Sequence, residues 1–268
     1  MFRKWCIPLT TLALVFGSML AAGSASATAL APHPSAAHFT PGGLMVRPAG
    51  HLASRKTHVN EDESTNWSGY AVTGANGAFH SVSASWIEPT GTCTSRRADQ
   101  YSSFWVGLDG FSSDSVEQTG TDVDCDGTSP QYYGWYEMYP ADPVNYTNTV
   151  KPGDHFSASV TFSGTETYTL VLTDSTQGWT HTTTKNETGL DRSSAEVITE
   201  APSSESGVLP LADFGTVNYS ASDANGTSLG SQKPTEIIMI DNSGQDKDST
   251  STIASSTGAF SNTWIRSS

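Results

Sequence analysis

Residues 79–87 read Phe79-His80-Ser81-Val82-Ser83-Ala84-Ser85-Trp86-Ile87. Val82, Ala84 and Trp86 fall on one face and the serines on the other. This period of two marks a strand buried on one side and wet on the other. Working outward, the same reading applies to 68–73, 103–109, 115–119, 132–138, 155–162, 167–173, 194–200, 215–220, 235–240 and 258–265. Turn formers separate these runs, among them Asp126-Gly127, Pro152-Gly153-Asp154, Asn225-Gly226 and Asn242-Ser243-Gly244. No amphipathic helical pattern and no internal repeat interrupts them. The 38 serines, 34 threonines and 24 glycines are poor helix material. The expectation is an all-β fold, a sandwich or barrel of antiparallel strands.

Charge and its distribution narrow the function. The chain has 27 acidic against 13 basic residues, a net charge of −14. This argues against nucleic acid or an anionic membrane surface as partner. Residues 1–27 have the form of a secretory signal peptide: Arg3 and Lys4, an apolar stretch over 8–22, then Ala25-Ser26-Ala27. The expected product is secreted, extracellular and free of the membrane after processing. Cys6 leaves with the signal, so Cys93 and Cys125 are expected to bridge in an oxidising compartment. Residues 28–60 hold four of the seven histidines together with Arg47, Arg55 and Lys56, and no acidic residue. They read as a pro-segment held by charge against an acidic domain spanning 61–268.

Several familiar motifs fail. Gly226-Thr227-Ser228-Leu229-Gly230 matches a nucleophile elbow, but Pro234 follows closely and no histidine lies beyond His181. Asp122-Val123-Asp124-Cys125-Asp126-Gly127 resembles the start of a calcium loop, but position twelve is Tyr133, so an acidic turn is the simpler reading. No metal and no cofactor are expected. An enzyme built on this chain would use carboxyl and amide groups.

Alternation places such groups on strand faces. Trp105, Gly107 and Asp109 share one face, Trp135, Glu137 and Tyr139 another, and Glu196, Ile198 and Glu200 a third. Faces of Trp, Tyr, Glu and Asp suit a groove for an extended polar polymer.

The blocks Asn66-Trp-Ser-Gly-Tyr70, Phe104-Trp-Val-Gly-Leu-Asp-Gly110, Glu117-Gln-Thr-Gly120, Trp135-Tyr-Glu-Met-Tyr-Pro140 and Ala195-Glu-Val-Ile-Thr-Glu200 occur in that order. Together they resemble the glutamic peptidases, the eqolisin family, in its bacterial form. The resemblance covers residues 64–265. It implies a sandwich of two antiparallel sheets akin to the lectin and glucanase jelly rolls. It implies a pepstatin-insensitive acid endopeptidase, a monomer acting on polypeptides, with Gln118 and Glu200 catalytic. Trp67, Trp105, Asp109, Trp135, Glu137 and Tyr139 are then expected to contact substrate, and the segment after Tyr139 to form a flap.

The main alternative is a secreted carbohydrate-binding or glycan-hydrolysing jelly-roll protein, since fold does not decide function. A retaining glycosidase needs two carboxyls about 5–5.5 Å apart, for which Glu137 with Glu200 is the available pair. A non-catalytic lectin or adhesin is the third reading.

Overall fold

The computed structural model describes residues 39–40, 43, 60–94 and 98–268. The expected signal peptide lies outside the described residues, as do Cys6, Arg47, Arg55, Lys56 and the four histidines of 28–60. The described residues belong to one compact unit, Ala37–Ser268. Among them no helix is long and apolar enough to cross a membrane.

Two eight-stranded sheets face each other. The front sheet runs, in spatial order, Glu61–Ser64, Thr235–Met239, Trp67–Thr73, Ser194–Glu200, Ser103–Asp109, Val116–Asp126, Ser129–Tyr139 and Val144–Asn145. Its pairs are antiparallel, except that Glu61–Ser64 lies parallel to Thr235–Met239. The back sheet contains Trp179–Asn186, Thr167–Asp174, His155–Ser163, Ser81–Ile87, Thr216–Ala224, Phe260–Trp264 and Asp248–Thr250 along its path. The expected β-sandwich is present. The one helical element among the described residues is the short 3-10 turn Leu229–Ser231, which contains the end of the elbow-like motif.

Alternation builds the core. Val82, Ala84 and Trp86 point inward from the back sheet and meet Phe104, Val106 and Leu108 of the front sheet. The strand Ser103–Asp109 is buried on both faces. Its other face, with Trp105, joins Trp67, Ala71, Trp135, Ile198 and Ile237 in a second apolar layer outside the sandwich. Cys93 and Cys125 form a disulfide across 32 positions, which anchors the loop after Glu88 to the front sheet.

Several strands depart from expectation, among them Glu61–Ser64, Val144–Asn145 and Asp248–Thr250, which lie outside the expected ranges; two more are informative. Val116–Asp126 is eleven residues long and pairs with Ser129–Tyr139, so Asp122 and Asp124 sit within a strand and not in an acidic turn. The turn comes later, at Gly127. Trp179–Asn186 was not anticipated: as an edge strand it buries little, so its sequence lacks an apolar stripe.

Polar side chains cross the sandwich. Trp86 donates its indole N–H to Thr121 Oγ1 at 3.0 Å, and Thr121 donates on to Glu88 at 2.5 Å. The Tyr219 hydroxyl donates to the Ile198 carbonyl at 2.8 Å, tying the back sheet to the strand that carries Glu200. The Ser68 hydroxyl donates to Asp248, beside the buried Lys247, and accepts an amide N–H from Asn262.

Burial raises the pKa of many carboxyls. Glu88, Glu117, Asp124, Glu196 and Glu200 are all pushed well above the usual range. Asp122 and Asp248 rise to about 7 and Glu137 to about 9. Such a group keeps its proton in the folded chain and loses it in the unfolded one. Its stabilisation is complete below about pH 4, the ordinary carboxyl value, and is lost as pH rises through the folded pKa. The folded chain should therefore be most stable in acid and weaken from pH 4 through 7 and beyond, by about 1.4 kcal/mol per pH unit for each proton withheld. Urea denaturation midpoints between pH 3 and 8 measure this; a midpoint that climbs from pH 4 to 7 contradicts it.

Candidate active site

Three strands side by side carry the site. Ser194–Glu200 pairs with Ser103–Asp109, which pairs with Val116–Asp126. Ser129–Tyr139 adds the next row, with Gln118 directly opposite Glu137. On the far side, Trp67 lies opposite Glu200. All these side chains project from the outer face of the front sheet because each occupies the out-phase of its strand's alternation.

Glu200 ends its strand and is fully buried. Its Oε2 accepts the Trp105 indole N–H at 2.9 Å and its Oε1 accepts an Asn66 amide N–H at 3.3 Å. The Asn66 amide is oriented in turn by Ser64, whose hydroxyl donates to Asn66 Oδ1 at 3.0 Å. Trp105 reaches Glu200 because Gly107 leaves room: a Cβ there would lie 2.7 Å from the Trp105 ring. Trp67 packs edge-on to Trp105 with ring centroids 4.9 Å apart. Desolvation raises the Glu200 pKa most, Glu137 adds to the rise, and hydrogen bonds from Trp105 and Trp67 oppose it.

Gln118 donates one amide N–H to Glu137 Oε2 at 2.6 Å, and its Oε1 has no partner among the described residues. The amide therefore keeps one N–H and its oxygen for another molecule. Glu137, at about 9 through desolvation, stays protonated at acid and neutral pH. A neutral carboxylic acid can hold the amide of Gln118 without adding charge. Behind this pair, Trp135 donates its indole N–H to Asp122 Oδ1 at 2.5 Å. Tyr133 OH lies 3.0 Å from Asp122 and 2.6 Å from Asp124.

The expected residues separate into groups. Gln118, Glu137, Trp67, Trp105, Trp135 and Glu200 gather in one region, and the electrostatic influence of Glu137 on Glu200 links its two halves. Tyr139 packs half-buried beside the tryptophans, and the segment after it returns as Val144–Asn145 to pair with Trp135 and Tyr136. Asp109 differs from expectation. Its backbone turns to a φ of 72°, and its carboxylate accepts the N–H groups of Arg192 at 2.6 Å and Ser193 at 2.8 Å. It clamps the loop before the Glu200 strand, and both its oxygens are used within the chain. Glu196 shares a face with Glu200, but Asp109 and Glu117 are the charges that bear on it. Among the described residues no cluster of His, Cys, Asp and Glu has the arrangement of a metal site.

Sequence reasoning missed Asn66, Asp122 and Tyr133 as supports of the site. Asn66 was visible inside the Asn-Trp-Ser-Gly-Tyr block. Asp122 was masked by the look-alike calcium loop.

Known proteins resemble this chain in sequence and in fold. Residues 65–264 match the peptidase A4 family. Aspergillopepsin-2 of Aspergillus niger is 29% identical over 205 residues, covering 68% of this chain and 72% of that protein. Scytalidopepsin B of Scytalidium lignicola is 31% identical over 214 residues, covering 73% and 79%. The crystal structure of scytalido-glutamic peptidase with a transition state analog inhibitor superposes with a TM-score of 0.63 at 26% identity, covering 75% of this chain and 98% of that one. The crystal structure of aspergilloglutamic peptidase from Aspergillus niger gives 0.55 at 25% identity, covering 62% and 99%. With a family match across most of its length, this chain belongs to the peptidase A4 family, the glutamic peptidases.

Proposed function

We propose that this glutamic endopeptidase hydrolyses polypeptides in acid by direct attack of water, with Glu200 moving the proton and Gln118 holding the developing charge. The observation that carries this reading is the free donor and acceptor capacity of Gln118, clamped by Glu137 on the same surface as Glu200. Glu200 takes a proton from water as the water oxygen bonds to the carbonyl carbon. The carbonyl oxygen becomes an oxyanion, and the remaining Gln118 N–H donates to it. Glu200 then gives the proton to the amide nitrogen, and the C–N bond breaks. An amide is neutral at every pH, so this stabilisation persists where a carboxylate's charge would be titrated away.

The indole donors tune the base. A buried carboxyl without them would hold its proton too firmly to accept another. Trp105 and Asn66 favour the ionised form, which the first step requires. Trp67 and Tyr139 supply apolar walls for substrate side chains. Asp109 supports the loop 191–193 through its bonds to Arg192 and Ser193. Export to the outside of the cell fits the signal-like residues 1–27 and the disulfide. The family match favours peptide over glycan hydrolysis.

Four outcomes follow for casein cleavage at pH 3–4. Activity should survive both pepstatin and EDTA; glycan hydrolysis without proteolysis would sink the reading. Glu200→Gln should abolish turnover with folding retained, while Glu196→Gln keeps most activity; the reverse result would exchange their roles. Gln118→Ala should lower kcat by roughly 10²–10³-fold, as for an oxyanion donor. A rise in KM alone would make Gln118 a binding residue. Glu137→Gln, which mimics a neutral acid, should keep most of kcat, whereas Glu137→Ala frees the Gln118 amide and should lower kcat at least tenfold. Equal loss in both variants would mean that Glu137 acts as a charge.

A further inference from the structure

One row of the front sheet has no part in the mechanism above. Glu200 stands opposite Ser103, Ser103 opposite Asp122, and Asp122 opposite Tyr133. Ser103 shares its parity with Trp105, so its side chain projects from the outer face between the two carboxyls. Side chains directly opposite each other on neighbouring strands start about 4.5–5.5 Å apart at Cβ. The short serine therefore sits in the gap, and both longer carboxyls can reach its hydroxyl. Ser103, Glu200 and Asp122 are all fully buried.

Ser103 Oγ makes no hydrogen bond of ordinary geometry to any described residue. It lies near enough to Asp122 to favour that group's ionised form. A buried hydroxyl rarely goes unpaired, because losing water without gaining a partner is costly. The carboxyls on either side are already held in place. Trp105 and Asn66 each donate to one oxygen of Glu200, and Trp135 and Tyr133 each donate to one oxygen of Asp122. Each of those oxygens can accept a second bond. A hydroxyl donates once and also accepts, so Ser103 can join the two carboxyls, in the direction set by which of them holds a proton.

We infer that Asp122, acting through Ser103, is the positioning residue that readies Glu200: the three form one hydrogen-bonded row in which Asp122 keeps a proton and donates to Ser103, while Ser103 donates to ionised Glu200. The inference rests on the peptidase reading above and adds what prepares its base. Where the charge starts on Asp122, the Glu200 O–H passes its proton to Ser103 Oγ as Ser103 passes its own to Asp122. No proton leaves the row. Burial alone holds each carboxyl's proton firmly, but the joined pair sets five neutral donors around one negative charge: Asn66, Trp105, Ser103, Trp135 and Tyr133. The first ionisation then belongs to the pair and comes more easily than that of either member. The groups facing Asp122 are Ser103 and Glu200 on one side, Tyr133, Trp135 and Glu137 on the other, Asp124 along its own strand and Glu88 after Ser81–Ile87. None of them is a cation. Glu137 is bonded to Gln118 and Asp124 to Tyr133, which leaves Asp122 as the carboxyl across Ser103 from Glu200.

The test is a carbon-13 NMR titration of the full chain labelled at its Asp and Glu carboxyls. Glu200 and Asp122 are assigned by the signals lost in Glu200→Gln and Asp122→Asn. In the unaltered chain both signals should move together in the first step, and Glu200 should show a later step that tracks the Asp122 signal. Ser103→Ala should separate the two signals and raise the Glu200 midpoint by roughly one pH unit, the loss of one donor to the charged form. Below that midpoint kcat/KM for casein should fall roughly tenfold, as the ionised fraction does. Ser103→Thr, which keeps the hydroxyl, should restore both. Asp122→Asn carries the test if Ser103→Ala fails to fold: the later Glu200 step that tracks Asp122 should vanish. A Glu200 midpoint unmoved by Ser103→Ala, or a later step that persists in Asp122→Asn, overturns the inference, and casein cleavage by the unaltered chain then leaves the peptidase reading intact. Coupled titration with no cleavage by any form overturns the peptidase reading, and the row's part in it.

Discussion

The structure depends on carboxyl groups that are buried without cations. The chain has few bases; Lys247 bears on Asp248 and Arg192 on Glu117. Indoles, hydroxyls and amides stand in for positive charge: Trp105 and Asn66 at Glu200, Gln118 at Glu137, Trp135 and Tyr133 at Asp122, Thr121 at Glu88. Neutral donors compensate a protonated carboxyl well and an ionised one only in part. The fold is thus matched to a medium in which most of these groups keep their protons. The proposed mechanism asks the opposite of one of them, and the donors around Glu200 are more numerous than those around Glu196.

The same logic explains why the sheet can hold a site at all. A tryptophan floor is apolar enough to raise carboxyl pKa values, yet each indole brings one N–H. Trp105 uses it on Glu200 and Trp135 on Asp122. The layer excludes water and supplies donors with the same residues. Its geometry is set by register, since a one-residue slip would turn every one of these side chains into the sandwich core.

Much of this was legible in the sequence. The patterns at 79–87 and 103–109 located strands within two residues of their observed limits; Ser81–Ile87 buries one apolar face and Ser103–Asp109 is buried on both. The blocks around Trp105, Gln118, Glu137 and Glu200 identified residues that converge in space. What could not be read was partnership across strands. Asp109 looked like a groove residue by parity, but a positive φ at the strand's end redirects it to the amides of Arg192 and Ser193. Asp122 and Asp124 looked like a turn because acidic residues rarely fill a buried strand; here Tyr133 and Trp135, eleven and thirteen positions away in sequence, supply the donors. Trp179–Asn186 was silent because an edge strand need not bury a stripe.

Asn66 has a further consequence. It opens Asn66-Trp67-Ser68, one of five sequences with the form of an N-glycosylation acceptor. In the folded chain its side-chain nitrogen is fully buried and donates to Glu200. A sugar attached to the nascent chain would sit on that nitrogen, and a pocket with no open surface has no room for it. The route of synthesis therefore enters the structure: a sugar on this acceptor is incompatible with the buried Asn66–Glu200 contact, and a bare Asn66 lets it form.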